Sequence, residues 1–153
     1  MDQSFKYKLE KRNLTSVNTF PISSALEEIN EDIKISTNTI TQAYKEKLIN
    51  QAFKFHSQGN IPEATKLYQD FINQGLNDHR VFSNYGLILK DLGQLKEAEK
   101  ITLKSIELKP NYAEAHSNLG IILIDLGQLD DAKLSTRKAI EIKPNYAEAH
   151  YNL

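Results

Sequence analysis

The sequence contains no cysteine. A disulfide framework and a thiolate metal site are therefore excluded, and the absence fits a reducing compartment. The longest apolar run, from Leu119 to Ile124 with Gly120 inside it, is far shorter than the roughly 20 residues that a membrane-spanning helix needs. The N-terminus also lacks the apolar core of a signal peptide. We therefore expect a cytoplasmic protein with no membrane partner.

Positive and negative charges are also nearly balanced. Lys and Arg total 19, Asp and Glu total 20, and the formal net charge is −1. Nucleic-acid-binding proteins usually present a strongly basic face. The short basic cluster near the N-terminus is diluted by Asp2 and Glu10. We expect no nucleic-acid partner, and the 40% of hydrophobic residues indicates a soluble globular chain.

What the sequence does contain is a repeat. Residues 110–119 return at 144–153 with a single difference, Ser117 against Tyr151, and the shift is 34 residues. Self-similarity at a fixed period of about 20 to 50 residues is typical of repeat architectures. The period predicts an array over 45–153, with units at 45–78, 79–112 and 113–146 and the start of a fourth at 147–153.

Each unit is predicted to be a hairpin of two helices. Gly59, Gly93 and Gly127 stand at the same position of successive units, where a residue without Cβ eases the turn between two helices. Pro110 and Pro144 cannot continue the second helix of their units. Small residues recur where the paired helices must approach closely. These are Ala52, Gly86 and Gly120 in the first helices and Ala64, Ala98 and Ala132 in the second helices.

Residues 1–40 lie outside the repeat and are polar. Ser24 and Glu27 have the spacing of a capping box, and Leu26, Ile29 and Ile33 then fall on one helical face. We predict a helix at 22–35 that packs on the first unit, after a mobile lead. The alternative is a segment that is disordered throughout.

The pattern of the units resembles the tetratricopeptide repeat family. The third unit carries it through His116, Leu119, Gly120, Leu123, Ala132, Thr136, Ala139 and Pro144. The first unit departs from it, because Phe71 replaces a small residue and Leu76 stands where later units have proline. The resemblance implies an all-α fold, a right-handed superhelical solenoid of helix-turn-helix units, whose first helices line a concave groove for peptides or protein segments.

Four asparagines, each 34 residues from the last, stand at the sixth position of the first helices: Asn50, Asn84, Asn118 and Asn152. A side-chain amide offers both a donor and an acceptor, so it can pair with a peptide backbone without reading its side chains. The arrangement is similar to the asparagine ladder in the repeat array of O-linked N-acetylglucosamine transferases. Asparagine is also common at this position throughout the family, so consensus alone is the competing explanation.

Helical spacing places further candidate contacts around two of these asparagines. They are Arg80, Leu87 and Asp91 around Asn84, and Glu114, Ile121 and Asp125 around Asn118. We expect a groove of mixed charge with apolar side chains between. The carboxylate clamp that similar arrays use for chaperone C-termini is not expected, because Ile49, Phe53 and Glu114 replace its polar and basic residues.

We expect neither an active site nor a cofactor. His116 and His150 occupy equivalent places one helix pair apart, about 10 Å or more, which is too far for a shared zinc ion. They are interpreted as packing residues, and no metal is expected. Phosphate-binding loops, dinucleotide fingerprints and nucleophile elbows are missing from the sequence.

Two functions follow from these patterns. The first is a non-catalytic protein-interaction scaffold that binds a peptide or protein segment in its groove. The alternative is the substrate-presenting N-terminal array of a larger enzyme, of glycosyltransferase or sulfotransferase type. An RNA-binding helical repeat is disfavoured because the groove positions are not basic. Since the fourth unit stops after its first helix begins, we expect either a piece of a longer protein, which we favour, or weak self-association through the uncapped C-terminal end.

Overall fold

The computed structural model describes residues 41–152, and these are helical apart from short turns. Within them seven helices follow one another, and the first, α1, covers 41–57. The others are α2 (Ile61–Asn73), α3 (His79–Asp91), α4 (Leu95–Leu108), α5 (Ala113–Asp125), α6 (Leu129–Ile142) and α7 (Ala147–Tyr151). The all-α prediction is confirmed for this part of the chain. The predicted helix at 22–35 lies outside the described residues.

The helices pack as a row of hairpins. The most extensive contacts join α3 to α4 and α5 to α6, and smaller ones join α2 to α3, α4 to α5, α3 to α5 and α6 to α7. Each unit therefore packs on its neighbours along the row, as in a solenoid. A continuous apolar core links α1 to α2 through Ile49, Ala52 and Tyr68. The first unit is well packed despite its divergence, since Tyr68 and Phe71 are fully buried.

The turn inside each hairpin is closed by a glycine with positive φ. At Gly93 (φ +75°) the N–H donates to the Lys90 carbonyl at 2.9 Å, and the N–H of Gln94 donates to the Leu89 carbonyl at 2.8 Å. This pair of bonds is the Schellman motif, which satisfies the last carbonyls of a helix. Gly59 and Gly127 repeat it. The predicted turn glycines are therefore confirmed.

The two helices of a hairpin meet at a glycine and a threonine. A Cβ atom added to Gly86 would overlap the hydroxyl of Thr102, and one added to Gly120 would overlap that of Thr136. In the first unit the equivalent pair is Ala52 with Tyr68. Tyrosine has no branch at Cβ, so it leaves room for an alanine opposite. The small residue in the first helix is therefore matched to its partner in the second.

This matching predicts a conditional effect of one substitution. Gly86→Ala should lower the free energy of unfolding by about 1–3 kcal/mol, because its methyl group overpacks against Thr102. In a Thr102→Ala background the same change should have no cost, since alanine also favours the helix by up to about 1 kcal/mol. Urea unfolding of the four chains measures the coupling. Equal effects of Gly86→Ala in both backgrounds would contradict the matched packing.

Candidate functional site

A groove of about 590 Å³ crosses the first helices of successive units. Its lining comes from α3, α5 and α7, from the residues just before α5 and α7, and from the residue just after α7. The lining residues are Ser83, Asn84 and Leu87; Tyr112, Glu114, Ser117, Asn118 and Ile121; and Tyr146, Ala147, Glu148, Tyr151 and Asn152. Spacings of three and four residues place each set on one face of its helix.

The groove continues toward α1 at Asn84. This residue also borders a second depression, of about 400 Å³, together with Phe53, His56 and Ser57 of α1. Burial lowers the pKa of His56, and the nearby Asp91 opposes this only in part. That end of the groove is therefore aromatic, with a histidine that favours its neutral form.

Six of the ten residues predicted from the sequence line the groove. They are Asn84, Asn118, Asn152, Leu87, Glu114 and Ile121. Asn50, Asp91 and Asp125 are exposed and lie outside its lining. The carboxylate of Asp91 instead pairs with Lys90 at 2.8 Å. The site therefore gathers around three of the four asparagines.

Two of these asparagines use their amide nitrogens for hydrogen bonds within the protein. Asn118 is 9% exposed, and its Nδ2 donates to Ser83 Oγ at 2.9 Å. Asn84 Nδ2 donates to the Arg80 carbonyl at 3.0 Å. Because these bonds orient each amide, Oδ1 is the acceptor that remains, and no hydrogen-bond donor for it is found in residues 41–152. The amides are held in place before any ligand binds.

Arg80, the tenth predicted residue, is held in ion pairs. Its guanidinium donates two hydrogen bonds to Asp78, from Nε and Nη2, and Nη2 also contacts Glu46 Oε1, each at 2.9 Å. Asp78 also caps α3 by accepting from the Arg80 backbone N–H. Burial alone would raise the pKa of Asp78, but the hydrogen bonds and charge of Arg80, with the charge of Lys45, lower it overall. Arg80 therefore joins the first two units.

The charge of the groove differs from the mixed charge expected from the sequence. With Arg80 outside the lining, Glu114 and Glu148 are the charged residues among the described side chains that line it. Glu114 pairs with Lys143, whose Nζ lies 3.2 Å from Oε1. The same Nζ lies 4.5 Å from the centre of the Tyr146 ring. The lining side chains near α5 and α7 are therefore acidic and aromatic, and one of the two carboxylates is paired with Lys143.

The tyrosines of the groove were not predicted. Burial raises the pKa of Tyr112, and it raises that of Tyr146 further with the help of a hydrogen bond to Glu148. Both phenols therefore stay protonated and can donate. A signal was present, since Tyr112 and Tyr146 are 34 residues apart, as are Glu114 and Glu148. Ser83, Ser117, Ala147 and Tyr151 were also missed, and only the first two are buried.

The two histidines of the later units close the turns between hairpins. His116 Nε2 donates to the Pro110 carbonyl at 2.8 Å, and His150 Nε2 donates to the Pro144 carbonyl at 2.7 Å. Residues 41–152 contain no group of three or more metal-ligating side chains. The hydrogen bonds of His116 and His150 tie each helix to the turn before it.

Within residues 41–152 no helix has the length and apolar character to cross a membrane.

Comparison with known proteins identifies the units. Models of the tetratricopeptide repeat match residues 79–112 and 113–146. No curated protein matches the sequence significantly. An O-GlcNAc transferase mutant from Thermobaculum terrenum is similar in structure, with a TM-score of 0.68 and 23% identity. The match covers 71% of this chain and 21% of the transferase, so this chain spans about a fifth of that protein.

Two structures with bound peptides or protein regions are also similar. The first repeat domain of Spaghetti (RPAP3), bound to the HSP90 peptide SRMEEVD, has a TM-score of 0.66 and 24% identity, covering 71% of this chain and 86% of that one. PcrH in complex with the chaperone binding region of PopB has a TM-score of 0.63 and 20% identity, covering 71% and 90%. These likenesses establish the solenoid fold.

The Arg80 ion pairs predict a pH dependence of stability. Because the folded pKa of Asp78 is depressed, its contribution is present above the unfolded value of about 3.9 and is lost as the pH falls through the folded value. Arg80→Gln should therefore cost about 1 kcal/mol at neutral pH and flatten the loss of stability below about pH 4. Thermal unfolding across pH measures both effects.

Lys138→Gln is the matched control for this change, because Lys138 pairs with Glu141 within one exposed helix face. It should shift stability by less than about 0.5 kcal/mol at any pH. If Arg80→Gln behaves like this control, the ion pairs of Arg80 do not contribute to joining the units.

Proposed function

This chain carries tetratricopeptide repeats, and we propose that it is a protein-interaction scaffold that binds an extended peptide segment in the groove of α3, α5 and α7. One observation carries the proposal. The amides of Asn84 and Asn118 are oriented by the protein and keep Oδ1 for a ligand N–H. Leu87 and Ile121 lie beside them and supply apolar surface. The groove is thus suited to a peptide backbone.

The distance at which neighbouring helices usually pack favours an extended ligand over a helical one. A helix has already bonded most of its backbone N–H groups internally, so it offers few to the asparagines. A polyproline-II-like segment repeats every three residues and rises about 9 Å in that distance. Neighbouring helices pack about 8–10 Å apart. Every third residue of such a segment can therefore meet the asparagine of the next unit.

Structural likeness supports a peptide or protein partner. The similar domain of Spaghetti (RPAP3) holds an HSP90 peptide, and the similar PcrH holds a region of PopB. A C-terminal carboxylate is not the ligand we propose here. Glu114 lines the groove and would repel it, as the departures from the chaperone clamp already indicate.

The substrate-presenting array of a larger enzyme is the second candidate. Its support is the likeness to the Thermobaculum terrenum O-GlcNAc transferase, of which the matched region is only 21%. In that case the groove of residues 41–152 would hold the substrate, and catalysis would belong to a region outside them. We propose no catalytic role for the groove itself. The cytoplasmic location, the absence of a nucleic-acid partner and weak self-association stay predictions.

The test is a double substitution of the oriented amides. The ligand is a peptide selected on the whole chain from a random library of about ten residues, which reach roughly 30 Å when extended. Asn84→Ala with Asn118→Ala should weaken its binding by about tenfold or more, since each lost hydrogen bond contributes about 1 kcal/mol. Fluorescence anisotropy of the labelled peptide measures the affinity.

Two variants serve as controls. Asn111→Ala with Asn145→Ala removes two exposed amides with the same 34-residue spacing and should leave binding unchanged. Ser83→Ala removes the bond from Asn118 Nδ2 to Ser83 Oγ but keeps the amide, so it should weaken binding less than the double variant does. If the Asn84→Ala, Asn118→Ala variant binds the peptide as tightly as the native chain does, the proposal is wrong.

A further inference from the structure

We propose that the groove selects a cationic partner segment, with a Lys or Arg side chain of the partner bound between Glu114 and Glu148 and against the rings of Tyr112 and Tyr146. This inference rests on the proposed function, because it concerns the ligand of the same groove. It goes further by assigning the chemical class of that ligand and the residues that select it.

The charge of the first helices is uneven along the array. Their second position is occupied by Glu46, Arg80, Glu114 and Glu148 in successive units. Arg80 and Glu46 neutralise each other at 2.9 Å, and Asp78 holds the same guanidinium. Glu114 is paired with Lys143 at 3.2 Å, so Glu148 is the lining carboxylate that keeps an uncompensated negative charge among the described residues of α5 and α7.

The chain already shows how this place holds an ammonium group. Lys143 Nζ lies 3.2 Å from Glu114 Oε1 and 4.5 Å from the centre of the Tyr146 ring. An ammonium group within about 6 Å of an aromatic face is attracted by the ring quadrupole. Lys109 Nζ lies 5.3 Å from the centre of the Tyr112 ring and 3.5 Å from His79 Nε2. At Lys143, a carboxylate and a ring thus act together on one cation.

The internal pair does not block a ligand. The side chains of Lys143 and Glu114 are 51% and 37% exposed, and ion pairs this exposed contribute little stability. Within residues 41–152 no Lys or Arg lies within 4.0 Å of the Glu148 carboxylate. A cation of the partner can therefore bind to Glu148 and share Glu114 with Lys143 or take its place.

The tyrosines and carboxylates of the groove lie close enough to influence one another. Burial of Tyr146 and its hydrogen bond to Glu148 both raise the pKa of its phenol, which therefore keeps its proton. Glu148 therefore lies near enough to this phenol to act on it. Tyr112 and Glu114 are near enough to act electrostatically on the same phenol. The four side chains therefore form one cluster.

The same cluster disfavours anionic partners. A phosphopeptide or an acidic segment would meet two carboxylates without a free basic residue among the lining side chains. A neutral segment could use the asparagines but would leave Glu148 without a cation. A segment with a Lys or Arg side chain can bind the asparagine amides through its backbone and the carboxylates through its charge.

The experiment pans a random peptide library of about ten residues against the whole chain and against a Glu114→Gln, Glu148→Gln variant. Peptides selected on the native chain should contain several-fold more Lys and Arg than the starting library, and the variant should lose that excess. For one selected peptide, Glu148→Gln should weaken binding about tenfold at low salt and less at physiological salt. Replacing the cationic residue of that peptide by glutamine should have the same effect.

Glu97→Gln with Glu107→Gln is the matched control, since both carboxylates are exposed on α4 outside the groove. Affinity unchanged by this control supports the proposal. Selected peptides without an excess of Lys and Arg, or equal affinity of the native chain and Glu148→Gln, would overturn it. If the charge substitutions have no effect but the Asn84→Ala, Asn118→Ala variant binds weakly, the proposed function stands and only the charge selection is wrong. If neither the asparagine nor the glutamate substitutions change binding, both proposals are wrong.

Discussion

The close approach of the two helices in each hairpin is the constraint on which the other features depend. Gly86 faces Thr102 and Gly120 faces Thr136 without room for a Cβ atom, and Ala98 and Ala132 are buried beside them. Close contact fixes the rotation of the first helix, because only one of its faces carries the small residue. The face turned away from the second helix is thereby fixed as well, and it forms the groove.

This rotation explains why Asn118 serves both packing and the site. Neighbouring first helices contact each other, and Asn118 Nδ2 crosses from α5 to Ser83 in α3. An amide at this contact can satisfy the neighbouring helix with its nitrogen and keep its oxygen for a ligand. Consensus at this position and ligand binding are therefore not exclusive explanations. The stability of the helix contact and the orientation of the binding group depend on the same hydrogen bond.

The sequence predicted the turn glycines and the small packing residues, but it missed the groove tyrosines, which also repeat, and the contacts that join two units. Turn glycines, helix ends and small residues recur every 34 positions, so periodicity finds them. Arg80 binds Asp78 and Glu46 of the preceding unit, and this contact does not recur along the array. Helical spacing alone could not reveal it, so Arg80 was predicted to lie in the groove. Asp91 and Asp125 share a helical face with the asparagines, which is why the spacing predicted them. Each is the last residue of its helix, and neither lines the groove.

In the proposed binding mode, two kinds of contact contribute to recognition. Asparagines that accept from a backbone N–H provide affinity for any extended segment, because every residue except proline carries that group. Carboxylates beside tyrosine rings act on side-chain charge and so discriminate among such segments. The amides lie on α3 and α5 and the carboxylates on α5 and α7, so the two kinds overlap on α5. A segment that satisfies both must place its cation in register with its backbone, which gives the groove a preferred ligand position as well as a preferred ligand class.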